Sequence, residues 1–101
     1  MSLIKVRNSD SSSKPILATS GAIQLCEKLE LSINPFIDRH LSGDWGDICK
    51  DDWDANNEDV VAGGQIVSSY KLETGEKIWV ISDPADESGQ RQVTVLLPED
   101  Y

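Results

Sequence analysis

The chain has 101 residues, which is enough for one domain with a single hydrophobic core. Its net charge of −9 disfavours direct binding of nucleic acid or of an anionic membrane, because both need clustered Lys and Arg side chains. The two cysteines show no disulfide framework or metal-ligand spacing, and no apolar run is long enough for a signal peptide or a transmembrane helix. We therefore expect a cytoplasmic protein with reduced thiols.

The first residues predict a loose segment ahead of the folded domain. Leu3–Arg7 alternate apolar and basic residues and could make a short N-terminal edge strand. Residues 8–14 are small and polar and have nothing to bury. We expect residues 1–14 to be flexible and residues 15–101 to form a single domain.

Three helices are predicted in the first part of this domain. The first is capped by Thr19 or Ser20 and runs to about residue 31, with Cys26 on its apolar stripe. The second begins near residue 34, with Pro35 in its first turn, and stops at residue 43. The third runs from about residue 47 or 50 to residue 62 and ends at the glycine pair that follows.

After residue 64 the pattern changes to alternation, which predicts three short strands at about 65–72, 77–83 and 92–97. Their connections are the turn ETGE and the polar loop PADESGQ. Short connections favour antiparallel neighbours, and the helices must cover one face of the sheet. The predicted fold is therefore α+β, with two or three N-terminal helices packed on a three-stranded antiparallel β-meander.

Residues 43–59, which we call the acidic segment, separate the helical part from the strands. Eight acidic and two basic residues give residues 38–59 a net charge of −6. The acidic and aromatic side chains of the segment are the candidates for binding a partner: Asp44, Trp45, Asp47, Asp51, Asp52, Trp53 and Asp54. An alternative stays open, in which the indoles pack inward and the acids only keep the protein soluble.

The sequence shows no recognisable catalytic or metal-binding pattern. The stretch from Asp52 begins like a calcium loop, but it lacks the Gly and the Glu that such a loop needs at its sixth and twelfth positions. His40 is the only histidine, and a pairing with Cys49 as nucleophile has no supporting signature. We expect no catalytic residue, no metal and no cofactor.

Several short motifs occur in a characteristic order across residues 34–101. They are GDWGDI, an Asn/Asp-rich helix, SSYKL, TGEKIWVISD and TVLLPEDY. This ordered set resembles a family of small bacterial "plasmid-related" proteins that are carried on plasmids and other mobile elements. The family has a short turn between its last two strands, where this chain has the longer DPADESGQRQ. The resemblance implies a mobile genetic element as the habitat, without an activity.

Two functions fit these residues. The first is an acidic, non-catalytic binding protein that engages a basic, nucleic-acid-binding protein. Its carboxylates would imitate phosphates, because a helix rises about 1.5 Å per residue and duplex DNA carries about one charge per 1.7 Å. The alternative is a small enzyme with a cleft between sheet and helices, using Tyr70, Trp79 or His40. A homodimer is compatible with either function.

Overall fold

The computed structural model describes residues 3–7 and 14–101. They form five strands, three helices and a terminal 3-10 turn. In chain order these elements are β1 (Leu3–Arg7), β2 (Ile16–Thr19), α1 (Ser20–Lys28), α2 (Asn34–Leu41), α3 (Lys50–Ala62), β3 (Ile66–Lys71), β4 (Lys77–Ser82), β5 (Val93–Leu96) and the turn Pro98–Asp100.

The strands form one sheet in the order β1-β2-β5-β4-β3. β2 and β5 run parallel, whereas the other neighbours are antiparallel. The architecture is α+β, but the predicted three-stranded antiparallel meander is wrong, because two N-terminal strands extend the sheet beyond β5. β2 has only four residues and merges with the cap of α1, so its sequence does not show the alternation of a longer strand.

The segment expected to be flexible contains the edge strand. β1 pairs with β2, and Arg7 Nη1 lies 2.5 Å from Asp38 Oδ1 on α2. Residues 8–13, which make up most of the polar tract, lie outside the described residues. Leu3–Arg7 are therefore part of the sheet.

One face of the sheet packs against α1 and α2 and forms the hydrophobic core. Ala22, Leu25 and Cys26 come from α1, and Ile37 comes from α2. The sheet contributes Ile16, Ala18, Tyr70, Ile78, Val80, Val93 and Val95. Each fully buried aliphatic side chain of this kind contributes about 1.5–3 kcal/mol of hydrophobic stabilisation. Within the part of the chain that the structure describes, no helix is long and apolar enough to span a membrane.

The first helix begins at one of its two predicted caps. Thr19 Oγ1 accepts a hydrogen bond from the Ala22 N–H at 3.2 Å and donates one to Asp100 Oδ2 at 2.7 Å. A carboxylate is favourable here, since the N-terminus of a helix carries partial positive charge. The terminal turn is thereby tied to the start of α1.

The same helix ends in a tight reversal at Glu30. The Leu31 N–H bonds the Cys26 carbonyl at 2.8 Å, and the Glu30 N–H bonds the Glu27 carbonyl at 3.1 Å. Glu30 has a φ of 55°, in the left-handed region that usually holds glycine at this place. A glutamate therefore sits where a side chain is strained.

Candidate functional site

The acidic segment lies along the outer edge of β3, which pairs with β4 on one side only. An isolated parallel bridge joins Gly46 to Ser69. The Ser69 N–H donates to the Trp45 carbonyl at 3.1 Å, and the Asp47 N–H donates to the Ser69 carbonyl at 2.6 Å. The segment thus pairs with β3 as a short additional strand would.

Two side chains complete this cover of the β3 edge. Asp47 Oδ2 accepts the Lys71 N–H at 2.7 Å. Asn56 Nδ2 donates to the Val67 carbonyl at 2.9 Å, and Asn56 Oδ1 accepts the Val67 N–H at 3.4 Å. Open sheet edges invite pairing with other chains, so the segment protects β3 by occupying it.

Gly46 makes the close approach of the segment to β3 feasible. Its φ is 77°, and a Cβ at this position would clash with the Ser69 carbonyl oxygen and with the Tyr70 ring. Gly43 also has a positive φ, of 89°, but a Cβ there would meet nothing. The second glycine of GDWG is thus required by contact, and the first only by its backbone angle.

Asp44 fixes the start of the segment. Its carboxylate accepts hydrogen bonds from Arg39 Nε at 2.7 Å, from Arg39 Nη2 at 3.3 Å and from the Gly46 N–H at 3.1 Å. The Arg39 hydrogen bond holds the pKa of Asp44 below its usual value. Its backbone carbonyl accepts the Tyr70 hydroxyl at 2.7 Å. Asp44 therefore serves the fold, and only part of its surface reaches solvent.

The indoles of Trp45 and Trp53 join the loop that precedes α3 to the helix itself. Trp45 Nε1 donates to Asn57 Oδ1 at 3.0 Å, and Trp53 Nε1 donates to the Gly46 carbonyl at 3.2 Å. Trp45 is buried, and Trp53 is half-buried with its ring centroid 6.4 Å from that of Trp45. Trp45 therefore packs inward, which is the alternative that the sequence left open for the indoles.

The remaining candidates lie on α3 and are exposed. Among its thirteen residues, all of them described, α3 buries only Asn56. Its exposed carboxylates are Asp51, Asp52, Asp54 and Glu58. Lys50 forms an i,i+4 ion pair with Asp54 at 2.8 Å. Near the end of the helix, Val61 is 90% exposed, which is unusual for a valine.

The C-terminus of α3 is held by Arg91, a residue that no pattern in the sequence indicates. Arg91 Nη2 donates to the Asp59 carbonyl at 2.8 Å, and Nη1 donates to the Gly64 carbonyl at 2.6 Å. No basic residue occurs in the last turn of α3 itself. An arginine from the loop before β5 supplies the cation that a helix C-terminus favours.

A cleft of about 500 Å³ lies between α3 and the sheet face opposite the core. Trp79 and Lys77 of β4 line the cleft on the sheet side. Asp52 and Asn56 line it on the α3 side, and Asp47 lines it from the loop that precedes α3. Trp79 is half-buried, and its ring packs edge-on against Tyr101 at 5.7 Å between centroids. Among the described residues, Trp79 Nε1 is the one buried side-chain polar atom without a hydrogen-bond partner.

His40 lies in the interior and not in the cleft. Its Nδ1 is 2.5 Å from Ser68 Oγ, and its Nε2 is 2.7 Å from Ser82 Oγ. Burial, assisted by the positive charge of Arg91, lowers the pKa of His40 to about 4, so the ring is neutral at pH 7. With 3% of His40 and 1% of Tyr70 exposed, only Trp79 among the three side chains of the enzyme alternative reaches a cleft.

The thiols are also separated. Cys26 is buried in the core, which raises its pKa, and Cys49 is exposed at the start of α3; both are free. The stretch that begins like a calcium loop is part of α3, so its oxygens do not converge. In the described ranges, no group of three or more His, Cys, Asp or Glu could hold a metal ion.

No protein-family model, curated protein or solved structure matches this chain.

Proposed function

We propose that this protein is a non-catalytic interaction protein, and that the outer side of α3 engages a basic, nucleic-acid-binding protein. The outer side is the exposed surface that carries Asp51, Asp54, Glu58 and Val61. Its habitat would be the mobile genetic element that the motif resemblance implies.

This proposal rests on a difference between two groups of acidic residues, those in the loop before α3 and those on the outer side of α3. Asp44 and Asp47 are bonded to Arg39 and to the edge of β3, so the fold itself accounts for them. Among the residues that the structure describes, the carboxylates of the outer side have no such partner beyond the Lys50 ion pair. Like charges on one helix repel one another and destabilise the compact state, and a basic partner would relieve that repulsion.

The chemistry of the surface indicates the kind of partner. Asp51, Asp54 and Glu58 follow one another at spacings of three and four residues, which places them along one side of the helix. A partner whose Lys and Arg side chains normally meet phosphates would find a row of negative charge there. Val61 adds an apolar contact at the end of that row, where pure charge pairing contributes little.

The test uses a synthetic Arg/Lys-rich DNA-binding peptide as the probe and measures its affinity by calorimetry at two salt concentrations. The variant Asp51→Asn, Asp54→Asn, Glu58→Gln should bind about tenfold more weakly, since each exposed ion pair contributes about 0.2–1 kcal/mol. Its salt dependence should also become shallower. Duplex DNA should compete with the wild-type protein for the peptide.

A matched control separates this surface from general acidity. Glu27→Gln, Glu73→Gln, Glu87→Gln changes three exposed acids elsewhere and brings the net charge from −9 to the same −6. It should change the affinity by less than about twofold. Equal weakening by both triple variants would show that the acids act only through net charge, and the proposal would be wrong.

A further inference from the structure

We propose that the cleft between α3 and β4 binds a guanidinium group, namely an arginine side chain of the basic partner. This inference rests on the proposed function and makes it specific. It adds a pocket for one side chain to the exposed charges and the Val61 side chain of the outer side. The cleft volume of about 500 Å³ lies within the usual range of small-ligand pockets and is large enough for a guanidinium group.

The aromatic wall of the cleft is the first feature that fits a guanidinium. Trp79 is half-buried and lines the cleft, while Tyr101 packs edge-on against its ring. A tryptophan face attracts a cation more strongly than any other side-chain face, and the planar guanidinium can stack on it.

The carboxylates are the second feature. Asp52 makes no hydrogen bond or ion pair within the described residues, although it lies between Lys50 and Asp54 in the sequence of α3. Asp47 uses Oδ2 for the Lys71 N–H, and its Oδ1 has no hydrogen bond within those residues. Arginine forms stronger, directional pairs with such carboxylates than lysine does, because its N–H donors are held in one plane.

Of the described residues, Lys77 is the one positive charge that lines the cleft, and it opposes the binding of a cation. The two carboxylates of Asp47 and Asp52 and the ammonium group of Lys77 give the described lining a net charge of −1. The exposed carboxylates of the outer side add to that negative potential from the adjoining surface of α3. Lys77 therefore weakens the binding of a cation without reversing its sign, and its removal should tighten the binding.

The experiment follows the indole N–H signals by two-dimensional NMR while a blocked Gly-Arg-Gly peptide is added. Trp45 and Trp53 donate hydrogen bonds within the protein, whereas Trp79 Nε1 has no acceptor among the described residues, so the three signals should be separable. The variant Trp79→Phe identifies the third signal by its loss. We expect a saturable shift of the Trp79 signal, and binding at least about fivefold weaker for the peptide with uncharged citrulline.

A distant carboxylate supplies the control. Asp52→Asn should weaken binding of the peptide by about threefold or more. Glu27→Gln removes one exposed carboxylate on α1, away from the cleft and the outer side, and should alter the binding by less than about 1.5-fold. Lys77→Gln should tighten the binding by about twofold. Equal binding of the citrulline peptide, or equal effects of Asp52→Asn and Glu27→Gln, would overturn the cleft proposal.

The two proposals fail independently. If the outer-side triple variant weakens the Arg/Lys-rich peptide while Asp52→Asn leaves both peptides unaffected, the proposed function stands and the arginine cleft is wrong. If Asp52→Asn weakens both peptides and the triple variant weakens neither, the cleft stands and the outer side is not the partner surface.

Discussion

The carboxylate of Asp47 accepts the backbone N–H of Lys71 at 2.7 Å, across 24 residues of chain. This hydrogen bond continues the row that Trp45 and Asn56 make along β3. The sequence made Asp47 a candidate for partner binding, but in the fold its side chain covers part of the β3 edge. Charge alone does not distinguish the two uses, since both place the carboxylate at the surface.

Replacement of Asp47 should destabilise the fold, unlike replacement of its exposed neighbours. Asp47→Ala removes the acceptor for Lys71 and should lower the free energy of unfolding by about 1 kcal/mol. Asp51→Ala, on the outer side of α3, should change it by less than about 0.5 kcal/mol. Urea unfolding of the two variants measures the difference. Equal stability of both would show that water replaces the Asp47 bond without loss.

The glycines of GDWG offer a sharper comparison. Gly46→Ala forces a side chain into the Ser69 carbonyl and the Tyr70 ring, and it should cost about 3 kcal/mol or more. Gly43→Ala has open space and only an unfavourable φ, so it should cost about 1–2 kcal/mol. Thermal and denaturant melts of the pair test this order. If the two variants were equally stable, the segment would not lie against β3 as described.

The buried imidazole of His40 predicts a pH dependence of stability. The unfolded chain takes up a proton near pH 6.5, whereas the folded state resists protonation until about pH 4. The unfolded state therefore binds more protons in this window, and the free energy of unfolding should fall as pH drops from about 6.5 to 4. The total loss is on the order of 3 kcal/mol. Asp44, whose pKa is lowered, loses its contribution only at more acidic pH.

His40→Gln is the control for that dependence. It removes the titrating group and retains polar atoms near Ser68 and Ser82, so the variant should be less stable but nearly independent of pH between about 4 and 6.5. Denaturant titrations at several pH values would measure both proteins. An unchanged slope in the variant would assign the acid sensitivity to other groups.

The reversal after α1 predicts a stabilising substitution. Glu30→Gly relieves a left-handed strain of about 1–2 kcal/mol and adds about 0.4–1 kcal/mol of unfolded-chain entropy, for a net gain of about 0.5–1 kcal/mol. Glu30→Ala removes the same charge but keeps the strain, and it should bring no gain. A higher melting temperature for the glycine variant alone is the expected result.

Local patterns in the sequence predicted the features that depend on neighbouring residues. Thr19 caps α1, and Gly63 ends α3 in the left-handed conformation, because each acts on backbone within one turn of itself. The features that were missed depend on distant residues. β2 is defined by its parallel partner, with Leu17 opposite Thr94, and Arg91 reaches α3 across 32 residues. The residues of one partner therefore do not indicate where in the sequence the other partner lies.

The same limit applied to the candidate site. Seven acidic and aromatic residues formed one group in the sequence because they are adjacent in the chain. In the fold, Asp44, Trp45 and Asp47 are fixed against Arg39, Asn57 and β3, while Asp51, Asp52 and Asp54 remain exposed. Trp79 lines the cleft together with Asp52. The sequence suggested Trp79 only for the enzyme alternative, because no sequence pattern places it near α3.

The position of β5 between β2 and β4 also bears on how the chain is synthesised. A ribosome releases β2 and β4 before β5, so a nascent chain holds two strands whose shared neighbour has not yet emerged. Val80 and Ala18, which both lie opposite Val95, would meanwhile face water or a chaperone. The sheet can close only when β5 inserts between two strands that precede it in the chain, so the emergence of β5 controls when the sheet can form.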